Sequence, residues 1–207
     1  MSKVHYHFDH VGSYLRPQAL KEAREKFADG DISQDELLKV QDELVKDLVH
    51  HEVENGLQVV SDGEFGRSWW HLDFLWNLTG FEAYQQEASY KFHGAKTRTT
   101  NVRINGKIAE NPNHPFYRDF EYLKSVTPEG ITPKVTIPSP SLIINRDHRS
   151  DLYADYYDSW TDFLDDLAKA YHDTIQHFYD LGARYVQLDD TTWGYLIQQF
   201  ENEKNNP

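Results

Sequence analysis

The sequence contains no cysteine. Disulfides, thiolate nucleophiles and thiolate metal ligands are therefore excluded from these 207 residues. Long apolar runs are missing too. The longest is only a few residues, against the roughly 20 that a membrane-spanning helix needs. Met1-Ser2-Lys3 leads into polar, His-bearing sequence, so no signal peptide is visible, and the expectation is a soluble cytoplasmic protein. Basic side chains are in deficit: 21 Lys and Arg stand against 34 Asp and Glu, a formal net charge of −13. That balance repels phosphate backbones and anionic lipid, so neither nucleic acid nor membrane is expected as a partner. Aromatics, in contrast, are plentiful. The 13 Tyr, 11 Phe and 5 Trp are too many for the core of a chain that is 39% hydrophobic, so some must line grooves or cover other segments.

The length fits one domain, read as 1–207 with no second domain, repeat or low-complexity tract. Phe8–Ser13 reads as a short strand ending at a glycine. Residues 18 to 28 are helix-prone, and Asp29-Gly30-Asp31 breaks them. Ser33 is an N-cap with Glu36 completing a capping box, and the helix it opens runs to about Asn55. Leu57 to Val60 forms a strand that flows into the loop Ser61-Asp62-Gly63-Glu64-Phe65-Gly66-Arg67. Residues 68 to 80, with Trp69, Trp70, Phe74, Leu75 and Trp76, read as helical. Residues 97 to 108 alternate and hold Asn105-Gly106, a hairpin-turn signal. A short helix over 116–126 follows, then a strand from Lys134 to Ile137 ending at Pro138-Ser139-Pro140-Ser141. A long helix from Asp151 to Leu181 stops at Gly182. A last strand, Arg184 to Leu188, ends at Asp189-Asp190, and a polar tail closes the sequence. Strands that alternate with helices imply parallel strands joined by crossover helices, an α/β fold. No Gly-x-Gly-x-x-Gly follows the first strand, which speaks against a dinucleotide fold. The polar strand ends (His10 and Ser13, Asp62 and Glu64, Ser139, Asp189 and Asp190) suit a (β/α)8 barrel, whose sites lie at that end.

Glu64 and Asp189 form the chemical pair of most interest. Two carboxylates facing one cavity suit a ligand ammonium, or general acid and base work. Beside that stands a plainer reading, in which Asp62-Gly63 is a turn and Glu64 offsets a helix dipole. Asp189 and Asp190 side by side at a strand end repel each other without a ligand. Gly12-Ser13 offers an amide and a hydroxyl to a carboxylate, or is an ordinary turn. His5 and His7 at i, i+2 invite a metal reading. They precede the expected strand, so a solvated terminus competes with it. Trp69 and Trp70 fit core packing better than stacking on a flat ring.

Four blocks occur in this order: His10-Val11-Gly12-Ser13-Tyr14-Leu15-Arg16-Pro17, Val60-Ser61-Asp62-Gly63-Glu64-Phe65-Gly66-Arg67, Val135-Thr136-Ile137-Pro138-Ser139-Pro140 and Tyr185-Val186-Gln187-Leu188-Asp189-Asp190. In this the chain resembles the cobalamin-independent methionine synthase family, in particular its short single-barrel bacterial members. The resemblance implies a (β/α)8 barrel, here incomplete at about five of eight β/α units. It implies methyl transfer from methyltetrahydrofolate to a zinc-activated thiol, homocysteine or similar. Ser13, Glu64 and Asp189 match the positions that hold the amino acid, with Gly12, His10 and Asp190 secondary. The family's zinc ligands match nothing in this sequence and are expected downstream of Pro207, so no metal ligand or catalytic residue is assigned here and the chain alone is expected to be inactive. The family's folate-stacking tryptophan aligns with Pro140. Two alternatives stand beside this reading. One is a metal-dependent hydrolase barrel using His5 and His7. The other is a non-catalytic amino-acid-binding remnant that pairs as a homodimer through its open sheet edge.

Overall fold

The computed structural model describes residues 9–85, 99–145, 153 and 155–205. In chain order its elements are α1 (Gln18–Ala28), α2 (Gln34–Glu54), β1 (Val59–Val60), α3 (Leu72–Leu75), β2 (Thr79–Gln85) and β3 (Thr100–Ala109). Then come α4 (Pro115–Val126), β4 (Thr132–Pro133), β5 (Val135–Pro138), α5 (Ser141–Asn145), α6 (Trp160–Asp180), β6 (Val186–Asp189) and α7 (Thr192–Asn205). The fold is mixed α/β. It divides into two units: Met1–Trp70 with Pro115–Val135 and His177–Gln187, and His71–His114 with Thr136–Gln176 and Leu188–Pro207.

In the first unit, local sequence chemistry sets the helix ends. The Ser33 side chain accepts a hydrogen bond from the Glu36 amide, and the Glu36 carboxylate reaches back to the Ser33 amide. This reciprocal cap satisfies two donors that the first turn would otherwise leave bare. At the other end Gly56 takes φ +86° just after the last turn, a left-handed stop that glycine enters without strain. Leu20 of α1, Val45 and Val49 of α2, Val60 of β1, Phe65 and Leu123 of α4 form one buried cluster. β1 and β4 pair in parallel, Val59 with Thr132 and Val60 with Pro133. The Lys134 amide continues the ladder to the Val60 carbonyl at 2.9 Å.

β5 and β6 pair with each other. At their starts, in the first unit, the Val135 amide donates to the Tyr185 carbonyl at 3.1 Å. At their ends, in the second unit, the Ser139 amide donates to the Asp189 carbonyl at 2.7 Å. The equal advance along both strands makes the pair parallel, with α6 as its crossover, as the alternating pattern implies.

Several expectations are corrected. Residues 9–13 form no strand. Gly12, at φ +87°, turns the backbone there, and the segment is tied down by the Lys134 side chain instead of a ladder. The helix expected over 68–80 shrinks to the four residues of α3, and Thr79 already begins β2. Asn105-Gly106 is not a turn: β3 runs straight through it and pairs antiparallel with β2. The register shifts between Thr79 and Phe81, opposite these residues. There Gly80, at φ +84°, passes so close that a Cβ would lie 2.4 Å from the Lys107 carbonyl oxygen. The pair is a bulge that lets two backbones touch. The long helix starts at Trp160, not at Asp151, because Ser159 caps it by accepting the Asp162 amide at 3.1 Å. The polar tail expected from Glu201 onward is instead helical as far as Asn205, the end of α7. His5 and His7 lie outside the described residues.

Replacing Ser33 by Ala removes a two-way cap and is expected to lower stability by about 1 kcal/mol, with Ser33→Asp largely restoring it. Urea denaturation followed by far-UV circular dichroism measures the difference. Equal midpoints for Ser33→Ala and the parent would show that the cap does not hold α2.

Candidate amino-acid-binding site

β1 delivers the chain into the loop 61–67 with both of its valines buried. Asp62 then organises a tight turn, its carboxylate accepting the Glu64 amide at 2.9 Å. Two successive residues adopt left-handed backbone, Gly63 at φ +64° and Glu64 at φ +58°. For a residue with a side chain this conformation costs about 1 kcal/mol or more, and such strain concentrates at functional positions. The loop is held by its carbonyls. Arg16 donates to the Glu64 and Arg67 carbonyls at 3.0 and 3.3 Å. Arg24 donates to those of Phe65 and Arg67 at 2.5 and 3.0 Å.

The Glu64 side chain is buried, at 3% exposure. The Ser13 hydroxyl donates to its Oε2, and Arg67 Nη1 stands 3.5 Å from its Oε1. Arg67 is itself buried at 2% exposure and lies 4.3 Å over the Phe116 ring. A buried carboxylate without a counter-charge would be severely penalised; here the cation three residues on balances it. Ser13 is carried to this place by the backbone, since the Tyr14 amide donates to the Gly63 carbonyl at 3.2 Å. His10 donates from Nε2 to the Gly12 carbonyl at 2.9 Å and stacks on Tyr14 with ring centres 3.9 Å apart. Ser13, Gly12, His10 and Glu64 are thus gathered in the first unit.

A second buried charge stands behind them. Lys134, 2% exposed, donates to Asp9 Oδ2 at 2.9 Å, to Gln187 Oε1 at 3.0 Å and to the His10 carbonyl. The Tyr185 hydroxyl also donates to Asp9 Oδ2, at 2.9 Å. The ammonium has three donors and here meets three acceptors, which is what makes its burial tolerable. Arg67, Asp62 and Lys134 line a cavity with Phe116, Phe120 and Leu123 that has room for about one water. Nearby, burial followed by the charge of Asp62 pushes the Asp119 carboxyl up to about 6, against the pull of Arg118.

Asp189 and Asp190 belong to the second unit, at the end of β6. The Asp189 carbonyl is pinned by the Ser139 amide. Asp190 is exposed and accepts both the amide and the hydroxyl of Thr192, at the start of α7. Thr192 reaches Ser141 at 3.3 Å, and Ser141 meets Ser139 at 2.9 Å. Partial burial pushes the Asp190 carboxyl up, but the bonds from Thr192, Ser141 and Ser139 outweigh it and hold it below the usual range. Asp190 thus caps the start of α7.

Sequence reasoning missed Lys134, Arg67 and Glu52. Each had a signal. Lys134 is a lone cation opening an apolar strand. Arg67 falls three residues after Glu64. Glu52 falls at i+7 and i+3 from Val45 and Val49, on the apolar stripe of α2.

The family profile described as "Cobalamin-independent synthase, Catalytic domain" matches residues 9–204. This chain belongs to that family. It is 38% identical over 196 residues to the uncharacterized protein YxjH of Bacillus subtilis (strain 168), a match covering 95% of this chain and 51% of that protein. A methionine synthase of Sulfolobus acidocaldarius is 29% identical over 180 residues, covering 87% of this chain and 50% of that protein. Among solved structures, a candidate vitamin-B12-independent methionine synthase from Listeria monocytogenes superposes with a TM-score of 0.75 at 41% identity, covering 92% of this chain and 54% of that one. The chain therefore spans about half the length of the relatives it matches. Zinc, which the family resemblance implies, does not fit the donors described here. Cysteine is absent from the sequence, and no group of three His, Asp or Glu among the described residues could hold a metal ion. Nor, among the described residues, is any helix long and apolar enough to cross a membrane.

Gly63 allows no side chain: a Cβ there would sit 2.5 Å from Leu48 Cδ2, at a backbone angle that L residues resist. Gly63→Ala is expected to cost about 2–4 kcal/mol, the sum of overpacking and left-handed strain. Chemical denaturation tests this; a loss under about 0.5 kcal/mol, the range of ordinary surface changes, would mean the loop relaxes freely.

Proposed function

We propose that this chain forms the amino-acid-binding part of a methyltransferase of the methionine synthase type, a portion of a single (β/α)8 barrel, with homocysteine or a similar thiol as methyl acceptor. Methyltetrahydrofolate is the methyl donor in this reading. Glu64 and Asp189 grip the α-ammonium group of the acceptor, and the backbone amides of Gly12-Ser13 face its carboxylate. The reading is supported by family membership. It rests chiefly on one observation: Ser13 reaches across 51 residues of sequence to place its hydroxyl on the buried carboxylate of Glu64.

The charges make sense of the arrangement. Two carboxylates confined near each other repel, and one of them would take up a proton without compensation. Arg67 beside Glu64 supplies one positive charge. An incoming ammonium supplies the second, so Glu64, Asp189, Arg67 and the ligand's ammonium group sum to zero. An uncharged analogue at the amino position would leave one carboxylate without a partner in a site that excludes water, and would bind poorly. The hydroxyl of Ser13 holds Glu64 in one rotamer before the ligand arrives, which lowers the ordering cost of binding. These residues bind and orient the acceptor, while activation of its sulfur lies with groups other than those described.

Isothermal titration of the 207-residue chain with L-homocysteine is expected to detect binding, weakened about 10- to 100-fold by Glu64→Gln, the range for losing a charge-assisted hydrogen bond. Asp189→Asn is expected to act in the same direction. L-Methionine, which keeps the ammonium and carboxylate, should bind as well. Unchanged homocysteine affinity in Glu64→Gln would contradict the role of that carboxylate.

A further inference from the structure

We propose that Glu52 is a positioning residue that holds the segments carrying Ser13 and Glu64 in register from behind. This rests on the reading above, in which Glu64 grips an amino acid. Glu52 lies near the C-terminal end of α2, on its buried face at 3% exposure. Its carboxylate accepts the Ser61 amide, at 3.1 Å to Oε2 and 3.4 Å to Oε1, and the Ser61 hydroxyl at 3.4 Å. The Tyr14 hydroxyl bonds to the same carboxylate. Ser61 opens the loop that ends in Arg67, and Tyr14 follows Ser13. One buried acid thus fastens both segments, and the fastening continues toward the site. Ser61 Oγ accepts the Gly63 amide at 3.2 Å, and the Gly63 carbonyl accepts the Tyr14 amide at 3.2 Å.

The donor set fits an ionised carboxylate. Three donors converge on it: the Ser61 amide, the Ser61 hydroxyl and the Tyr14 hydroxyl. Adding a proton to Glu52 places a fourth donor among them, and at least one bond must then turn away. If the Ser61 side chain changes rotamer, the Gly63 amide loses its acceptor and the left-handed turn at Glu64 loses support. Burial pushes the Glu52 carboxyl up to about 7, with the nearby charge of Asp62 adding to the rise and the bonds from Ser61 and Tyr14 opposing it. Tyr14, pushed up to about 12 by burial and then by Glu52 and Asp9, stays protonated as a donor throughout. The sign follows. Protonated Glu52 is favoured in the folded state relative to a free carboxyl, so its contribution to stability is present at acid pH and is lost as pH rises through about 7. The geometry of the loop goes the other way, since the ionised form is the one that all three donors satisfy.

The test follows the backbone amides of Ser61 and Gly63 by nitrogen–proton correlation spectra from pH 5.5 to 8, with the affinity for L-methionine measured by calorimetry across the same range. In the parent chain both amide signals are expected to move with a midpoint near 7, and affinity to rise about three- to tenfold from pH 6 to 8. Glu52→Gln, which keeps the shape but cannot ionise, is expected to remove that step from both readouts and to hold affinity at its low-pH level. Glu52→Asp, which still ionises, is expected to restore a step. Persistence of the step in Glu52→Gln would overturn the proposal. Amide signals that behave as expected in a chain that binds no amino acid at any pH would overturn the ammonium reading and leave the hold of Glu52 on the loop standing.

Discussion

A carboxylate taken out of water has to be compensated at both oxygens, and Glu64 is the place where this chain meets that demand. Its backbone is forced into a left-handed turn and its side chain is buried, with Ser13 on one oxygen and Arg67 near the other. Neither partner is free to be elsewhere. Arg67 is fixed because Arg16 and Arg24 bind its carbonyl, and Ser13 because Tyr14 is bonded to Gly63. The turn itself depends on Asp62 and on a glycine that lets Leu48 approach. Removing any of these alters where the carboxylate sits.

Behind that first arrangement lies a second layer of buried charge with the same logic. Lys134 joins the N-terminal segment to β6 through Asp9 and Gln187. Glu52 joins the same segment to the loop through Tyr14 and Ser61. Buried ionic groups rarely add net stability over apolar packing, but they penalise every arrangement in which a partner is misplaced. In a short strand such as β1, with only Val59 and Val60 in the ladder, backbone pairing alone specifies little. Side-chain charges take over the task of fixing where the strand end points.

What was legible in the sequence was what depends on neighbours in the chain. The box of Ser33 and Glu36, the stop at Asn55-Gly56 and the strand before Pro138 are settled within a few residues, and each is where the pattern places it. What was not legible depends on distant partners. Trp69, Phe74, Leu75 and Trp76 imitate helical spacing, yet the chain there must leave room for β2 to reach β3. Asn105-Gly106 carries a turn signal, but a second glycine, Gly80, comes to lie against it and converts the signal into a bulge. The first segment looked like a short strand ending at a glycine. Its anchor, Lys134, is more than a hundred residues away. For the site, Glu64 and Ser13 were singled out by residue type and position, and the hydrogen bond between them emerges only in the fold. The supporting residues were visible only as oddities: one lysine in an apolar strand, one glutamate on an apolar helix stripe.

In the proposed reading the site takes a small zwitterion, with Glu64 held ready and Asp189 completing the grip. The most direct measurement is a crystal structure of the chain with L-methionine bound. The expected result places the ligand nitrogen about 3 Å from carboxylate oxygens of both Glu64 and Asp189, with the ligand carboxylate against Gly12-Ser13. A ligand nitrogen bonded to neither acid, or Asp189 turned away from a ligand held by Glu64 alone, would contradict the account.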